Sequence, residues 1–189
     1  FYKHIEESLE GGVTFLQLRE KNLDIDSFFK EAIKIKELCK KYNVPFIIND
    51  NVEIALKSNA DGIHVGQDDM GVEEVRKLIG KEKILGVSVQ TVEQALLAQS
   101  QGANYLGVGS IFTTTSKDDA KSVSINTLKE ICNVVNIPVV AIGGIDENNA
   151  KQLSKTGISG IAVISAIYAN KNIKNAAMKL KELIEEIVK

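Results

Sequence analysis

The sequence has little of what marks unusual protein classes. Among 189 residues there are only 2 prolines and 2 cysteines, and 23 basic residues nearly balance 25 acidic ones, giving a formal charge of -2. With 44% hydrophobic and 25% charged residues, the composition excludes collagen-like and disordered chains. Because no basic field is present, neither nucleic acid nor a membrane surface is an expected partner.

The few cysteines and the short apolar runs bear on location. Cys39 and Cys132 lie in helix-like stretches and form neither a CxxC pair nor a disulfide framework, which favours a reducing compartment. No apolar run approaches the roughly 18 residues of a membrane span, and no signal peptide pattern is present, so a cytoplasmic protein is predicted. Small-molecule chemistry is the favoured function class. The apolar outer surfaces leave a homo-oligomer open.

Short β-branched runs recur along the chain, each closed by Gly, Asn or Asp and followed by a stretch with helical periodicity. This alternation is typical of parallel sheets with crossover helices. Seven strands are predicted, at 14–19, 45–49, 62–66, 84–89, 105–111, 139–143 and 160–164. Helices are predicted near 26–41, 52–58, 71–79, 91–101, 124–135 and 146–155, with an amphipathic closing helix near 172–188.

Seven strands are one short of a closed (β/α)8 TIM barrel, and residues 2–10 already have the pattern of a helix that ends at Gly11 and Gly12. We therefore predict an α/β TIM barrel without its first strand, forming a single catalytic domain over residues 1–189. Since the chain begins in mid-helix, we expect it to be the remainder of a longer protein whose first strand lies upstream. An open doubly wound sheet is the alternative. Both folds place ligands at the carboxyl ends of the strands.

The first predicted strand carries polar side chains on one face. Period-two geometry places Gln17, Arg19 and Lys21 together and points them into the barrel. An inward Arg followed by Lys is costly without an anion, and the planar guanidinium suits phosphate oxygens. The alternative is a solvated strand end with Arg19 paired to a neighbouring acid.

Carboxylates follow the next two strands at the same edge of the sheet. Asp50 and Asp69 would repel a phosphate bound by Arg19 unless a divalent cation lay between them, and Mg²⁺ commonly binds one or two carboxylates plus phosphate oxygens. They are the predicted metal ligands. The alternative makes such aspartates helix N-caps. His64 should point inward, where a hydrogen-bonded core residue is the more common role.

The remaining strand ends offer hydroxyls and glycines. Ser88 should point inward without a Ser-His-Asp arrangement around it, so it is interpreted as a hydrogen-bonding residue. Alternate glycines at 107 and 109 leave space for a flat ligand or relieve crowding from neighbours. The polar segment 112–119 is a candidate lid or a solvated loop. Gly143 and Gly144, together with the end of the seventh strand, match the place where many barrels bind phosphate through backbone N–H groups.

Taken together and in this order, these segments closely resemble the thiamine phosphate synthase family from about residue 11 to residue 167. The run from Gln17 to Lys21 is similar to the family's Q-x-R-x-K motif, and Asn49 with Asp50 to its N-D pair. The resemblance implies a Mg²⁺-assisted dissociative substitution that joins hydroxymethylpyrimidine pyrophosphate and thiazole phosphate. Its products are thiamine phosphate and pyrophosphate.

The resemblance also implies a role for each matching residue. Pyrophosphate would be held by Gln17, Arg19, Lys21 and Lys117; the pyrimidine substrate would contact Asn49 and Ser88; Mg²⁺ would bind Asp50 and Asp69; and thiazole phosphate would contact Thr114, Ser116, Gly144, Ile164 and Ser165. Of these, the expected catalytic residues are Arg19, Lys21, Ser88 and Lys117.

The chain departs from the family pattern near the candidate lid. Relatives usually have proline at positions 110 and 113, where this chain has Ser110 and Thr113, and threonine where it has Ser116. The lid therefore lacks two fixed φ angles but keeps its hydroxyl at 116. Two alternative functions on the same scaffold are a thiazole tautomerase-like isomerase and a non-catalytic module that binds thiazole phosphate. Neither needs the complete pyrophosphate and Mg²⁺ set.

Overall fold

The computed structural model describes residues 1–113 and 122–188, and its centre is a parallel sheet of seven strands. Each strand pairs in parallel with the next one along the chain; for example, Asn49 pairs with His64 and Ser88 with Gly107. The strands are β1 (Leu16–Leu18), β2 (Phe46–Asn49), β3 (Gly62–Val65), β4 (Ile84–Val89), β5 (Tyr105–Val108), β6 (Val139–Ile142) and β7 (Gly160–Ala162).

The strand order decides between the two predicted folds. It runs from β1 to β7 without a reversal, whereas a doubly wound sheet reverses its order at a switch point. The sheet also curls: the ring of Phe15, directly before β1, lies 5.6 Å from the Tyr105 ring of β5 although three strands lie between β1 and β5 in the sheet. The TIM-barrel-like α/β fold is confirmed, and the doubly wound alternative is wrong.

Eight α-helices lie in the described ranges, and side chains cap the start of five of them. The caps are Asp24, Asn51, Thr91, Ser124 and Asn172, each accepting a hydrogen bond from the amide three residues later. The helices are α1 (Tyr2–Glu10), α2 (Ile25–Lys41), α3 (Val52–Lys57), α4 (Val72–Ile79), α5 (Val92–Ser100), α6 (Ile125–Val134), α7 (Ser165–Tyr168) and α8 (Ile173–Ile187). Within residues 1–113 and 122–188, none combines the length and apolar character that crossing a bilayer requires.

The main core lies between the sheet and its helices. Phe46, Ile47 and Ile48 of β2 are all fully buried, as expected for a parallel strand covered on both faces. The closing helix buries the predicted stripe at Ile173, Ala177 and Leu180, while Ile184 and Ile187 are half-buried. This packing fixes the strands, so their carboxyl ends form a rigid edge.

Several predicted elements differ from the structure. The fifth strand, predicted over 105–111, ends at Val108. Instead of a helix over 146–155 there is only a 3₁₀ turn at Ala150–Leu153; the Asp146 carboxylate accepts from the amides of Asn148 and Asn149 as a helix cap does, but the backbone leaves the helical conformation at Ser154, where ψ is 139°. The seventh strand was predicted to reach residue 164. It ends at Ala162, and the short helix α7 begins at Ser165.

Candidate active site

The predicted site residues on the first strands lie at the carboxyl edge of the sheet. Gln17 is the central residue of β1, and Asn49 is the last residue of β2. A cavity of about 280 Å³ opens beside them and is lined by Lys21, Asn49, Asp50 and Phe28, among others. The structure thus brings together residues that the sequence places in two separate segments.

Two cations, Arg19 and Lys21, follow β1. Arg19 is half-buried and Lys21 is exposed. Across the residues that the structure describes, neither makes an ion pair or a hydrogen bond through its side chain. The alternative in which Arg19 pairs with a neighbouring acid is therefore not observed. Lys21 lines the cavity together with the acids Glu20 and Asp50, and Arg19 follows the last residue of β1. Cations without side-chain partners at a strand end favour binding of an anionic ligand.

Neither predicted metal ligand serves as a helix cap. Helix α3 is capped by Asn51, whose side chain accepts from the Ile54 amide at 2.9 Å, and α4 begins after Gly71 without a side-chain cap. Asp50 instead has a φ of 63°, and its amide donates to the His64 carbonyl at 2.8 Å. One carboxylate oxygen of Asp69 accepts from the Gly66 amide at 2.6 Å. The capping hypothesis is wrong for both aspartates.

The donor set of these aspartates fits a hard divalent cation. Both carboxylates are exposed and follow adjacent strands. In the described part of the chain, no cluster of three or more His, Cys, Asp or Glu residues could hold a metal ion. Two carboxylates are few for Ca²⁺ or for structural Zn²⁺, but they suit Mg²⁺, which keeps several waters and binds substrate phosphates.

Ser88 contacts a buried histidine. Its Oγ lies 2.8 Å from Nε2 of His64, and the other ring nitrogen lies 2.8 Å from the Tyr105 hydroxyl. The Ser88 carbonyl accepts from the Gln67 amide side chain at 2.8 Å. Since the second ring nitrogen meets a phenol rather than a carboxylate, this is not a Ser-His-Asp triad. His64 is a hydrogen-bonded core residue with 6% exposure.

The alternate glycines do not leave an empty slot. A Cβ added at Gly107 would lie 3.1 Å from the His64 ring, and one added at Gly86 would collide with the Tyr105 ring. A Cβ at Gly109 would collide with the backbone of Ile142. The alternative of relieved crowding is therefore the observed one, and the space proposed for a flat ligand is filled by the protein.

The glycine pair after β6 makes a tight turn. Gly144 has a φ of 66°, its carbonyl accepts from the Asn149 side chain at 2.8 Å, and an added Cβ would collide with the Thr113 carbonyl oxygen. Ile164 and Ser165 are exposed at the start of α7, beyond the neighbouring strand β7. The first amides of a helix have no partner within that helix, so this corner is suited to anions.

Three predicted site residues, Thr114, Ser116 and Lys117, lie outside the described residues. The flanks of that segment are held beside the glycine turn. The Phe112 amide donates to the Gly143 carbonyl at 3.0 Å, and the Val123 amide donates to the Ser110 carbonyl at 2.8 Å. Both ends of the candidate lid therefore lie near the carboxyl end of β6.

Comparison with known proteins agrees with this geometry. Residues 1–167 match a family profile described as thiamine monophosphate synthase. A thiamine-phosphate synthase of Clostridium tetani is 56% identical over 184 residues, which cover 97% of this chain and 88% of that protein. The chain belongs to the thiamine monophosphate synthase family.

More distant relatives share the same fold and description. A thiamine-phosphate synthase of Methanobrevibacter smithii is 52% identical over 180 residues, covering 95% of this chain and 86% of that protein. A solved structure of thiamine phosphate pyrophosphorylase from Pyrococcus furiosus superposes with a TM-score of 0.92 at 38% identity, covering 99% of this chain and 90% of that one. The predicted family, and with it a transferase of thiamine biosynthesis, is confirmed.

One residue beside the predicted site residues was missed from the sequence. Tyr105 was placed on a strand but given no role, although it alternates inward with Gly107. Burial raises the pKa of its phenol well above the usual value, so the hydroxyl keeps its proton at neutral pH. Counting back two residues from Gly107 would have placed this ring inside the barrel.

Proposed function

We propose that this synthase joins hydroxymethylpyrimidine pyrophosphate to thiazole phosphate with the aid of Mg²⁺. The observation that carries the proposal is the pairing of charges at the carboxyl edge of the sheet. Arg19 and Lys21 have no protein counter-ion in the described residues, while Asp50 and Asp69 follow the two next strands. A pyrophosphate would contact the two cations, and a divalent cation would lie between its oxygens and the two carboxylates.

The chemistry needs charge stabilisation more than proton transfer. The bond between the pyrimidine methylene carbon and the pyrophosphate oxygen breaks, and the leaving oxygen keeps the electron pair. The thiazole nitrogen then donates its lone pair to the methylene carbon and becomes a thiazolium. That nitrogen carries no proton to lose, so no general base is required.

The residues of the edge divide this work. Gln17, Arg19 and Lys21 bind the departing pyrophosphate and stabilise its growing negative charge. Asp50 and Asp69 would hold Mg²⁺, which when bound supplies further positive charge to the leaving group. Asn49 and Ser88 orient the pyrimidine.

A second anion site completes the proposal. The turn at Gly144 and the start of α7 at Ile164 and Ser165 bind the phosphate of the thiazole substrate through backbone N–H groups. Thr114 and Ser116 contact the same phosphate, and Lys117 contacts the pyrophosphate. Holding two substrates by their phosphates brings the methylene carbon and the thiazole nitrogen together before the bond breaks.

A cytoplasmic location belongs to the same proposal. Cys39 and Cys132 are free, and burial raises the pKa of their thiols to about 12 and about 11. They therefore stay protonated and slow to oxidise at neutral pH. Free thiols are the usual state in a reducing compartment.

The test is product analysis by mass spectrometry after incubation with both substrates and Mg²⁺. Thiamine phosphate and pyrophosphate are expected in equal amounts, and little of either without metal. Asp50→Asn should require roughly tenfold more Mg²⁺ for half-maximal rate. Asp61→Asn, on the opposite side of the sheet where its carboxylate accepts from the Phe46 amide, is the matched control. Equal Mg²⁺ titrations for the two variants would contradict Asp50 as a ligand.

A further inference from the structure

Three polar side chains form one hydrogen-bonded chain inside the sheet. The Tyr105 hydroxyl lies 2.8 Å from Nδ1 of His64, whose Nε2 lies 2.8 Å from the Ser88 hydroxyl. These residues come from β5, β3 and β4. Gln17 of β1 acts on the Tyr105 end of the chain, where it lowers the pKa of the phenol against the larger effect of burial. The other end of the chain is Ser88, a residue of the proposed pyrimidine site.

The surrounding residues hold the two middle members in place. Gly86 and Gly107 have no side chains where the rings of Tyr105 and His64 lie. Phe15 packs edge-on against the Tyr105 ring, with centroids 5.6 Å apart. Because both rings are confined, their polar atoms cannot turn to other partners without repacking the interior.

The proton count links the Ser88 hydroxyl to the Tyr105 hydroxyl through His64. A phenol has one proton, and a neutral imidazole has one N–H donor and one acceptor. If Nδ1 of His64 donates to the phenol oxygen, Nε2 accepts from Ser88. If the phenol donates to Nδ1, Nε2 donates to Ser88. In the second case the Ser88 proton is available to a ligand.

We propose that Tyr105 and His64 are positioning residues that orient the Ser88 hydroxyl toward the pyrimidine. The inference rests on the proposed function for the substrate contact of Ser88. Neither Tyr105 nor His64 needs to touch substrate. They limit the orientations that the Ser88 hydroxyl adopts before the substrate reacts.

The first test is a double-mutant cycle. Tyr105→Phe removes one oxygen and keeps the ring on Phe15, so kcat for thiamine phosphate formation should fall roughly threefold to tenfold, with a smaller change in KM. In the Ser88→Ala background the same change should lower kcat less than about twofold, because no hydroxyl remains to be oriented. Effects that multiply in the double variant would overturn the proposal, as would an unchanged kcat in Tyr105→Phe.

Tyr42→Phe is the matched control. Tyr42 lies just beyond α2, and its hydroxyl bonds with Glu6 at 3.1 Å, far from the carboxyl edge. Removing that oxygen should leave kcat and KM unchanged. An equal loss in both tyrosine variants would mean that a general structural effect explains Tyr105→Phe.

A second measurement does not depend on turnover. The chain has 2 histidines, so the ring ¹⁵N shifts of His64 can be assigned with a His4→Gln variant. One His64 nitrogen should be protonated and the other not, and Tyr105→Phe should change the population of this tautomer. Two averaged nitrogens in the unsubstituted protein would contradict the ordered chain. If that protein makes no thiamine phosphate, the proposed function fails while the ¹⁵N shifts still decide the inference.

Discussion

The chain has two arginines, and they lie at opposite ends of the sheet. Arg76 of α4 lies at the amino end, where its guanidinium donates to the carbonyls of Gly80, Lys83 and Gly102 and to the Asn104 side chain at 2.6 to 3.1 Å. Arg19 lies at the carboxyl end and makes no such bond in the described residues. The guanidinium of Arg76 is thus bonded to protein oxygens, whereas the described residues offer no such bonds to the guanidinium of Arg19.

Lysines follow the same division. At the amino end, Lys83 donates to the Ala60 carbonyl at 2.6 Å, and Lys36 donates to the carbonyls of Ser58 and Asn59. These cations bind carbonyls at the turns that lead into β3. At the carboxyl end, Lys21 stands at the mouth of the cavity. In a barrel, residues at the amino end serve stability and those at the carboxyl end serve ligands, and the bonding of each cation agrees with that division.

The largest effect should come from Arg19→Ala. Without the guanidinium, the leaving pyrophosphate loses a fixed positive charge, so kcat/KM should fall about 10²-fold to 10³-fold. Because Arg19 makes no protein hydrogen bond in the described residues, the free energy of unfolding should change by less than about 0.5 kcal/mol. Steady-state kinetics and urea unfolding of the same preparation check both. A large loss of stability would show that Arg19, like Arg76, stabilises the fold.

Arg76→Ala should give the opposite result. Several carbonyls near the amino ends of β4 and β5 lose their donor, so the free energy of unfolding should fall by about 2 to 4 kcal/mol. Well below the melting temperature, kcat/KM should stay within about twofold of the unsubstituted value. A variant of normal stability, or a folded one with low kcat/KM, would contradict a purely structural role.

The strands and the direction of several site residues could be predicted from local sequence. Strand positions follow from apolar runs closed by Gly, Asn or Asp, and the inward face of β1 follows from period-two alternation. These signals depend on a few neighbouring residues. The same locality explains an ambiguity at Asp50 and Asn51: both suit an N-cap, and only the backbone shows that Asn51 caps α3.

The remaining features depend on contacts distant in sequence or on where the backbone leaves a regular element. The contact between the rings of Phe15 and Tyr105 requires the sheet to curl, which no local pattern indicates. The helix expected over 146–155 is only a 3₁₀ turn that ends before Ser154, although the Asp146 carboxylate caps its start; the local sequence predicts where this turn begins but not how soon it ends. Arg76 gave no sequence signal, since an arginine on a helix usually faces solvent.

A smaller effect is expected from Gly144→Ala, at the carboxyl end. The positive φ of 66° and the close Thr113 carbonyl force the turn to shift. We expect KM for thiazole phosphate to rise roughly tenfold and the free energy of unfolding to fall by about 1 to 3 kcal/mol. Gly160→Ala on β7 is the control, because an added Cβ meets nothing within 4 Å. An unchanged KM for thiazole phosphate would remove this turn from the phosphate site.

The smallest effect concerns the cost of burying charge at the amino end. Burial, followed by the charge of Lys36, lowers the pKa of Lys83 below its usual 10.5, against the opposing effect of Asp61. At a pH between the lowered pKa of Lys83 in the folded protein and its pKa in the unfolded chain, the protein takes up a proton when it unfolds. The contribution of Lys83 to the free energy of unfolding therefore increases as pH rises through this range. Below both values the full cost of the buried charge is present.

Lys83→Met removes the buried charge, and with it the hydrogen bonds to Ala60 and Asn59. The difference in unfolding free energy between the unsubstituted protein and the variant should move in favour of the unsubstituted protein as pH rises from the lowered pKa of Lys83 toward its usual 10.5. Urea unfolding at several pH values measures it, with Lys81→Met as the control for loss of a surface charge. A difference that moves the other way would mean that the carbonyl bonds stabilise the cation by more than burial disfavours it. The amino-end lysines would then be strong ion-dipole contacts rather than tolerated charges.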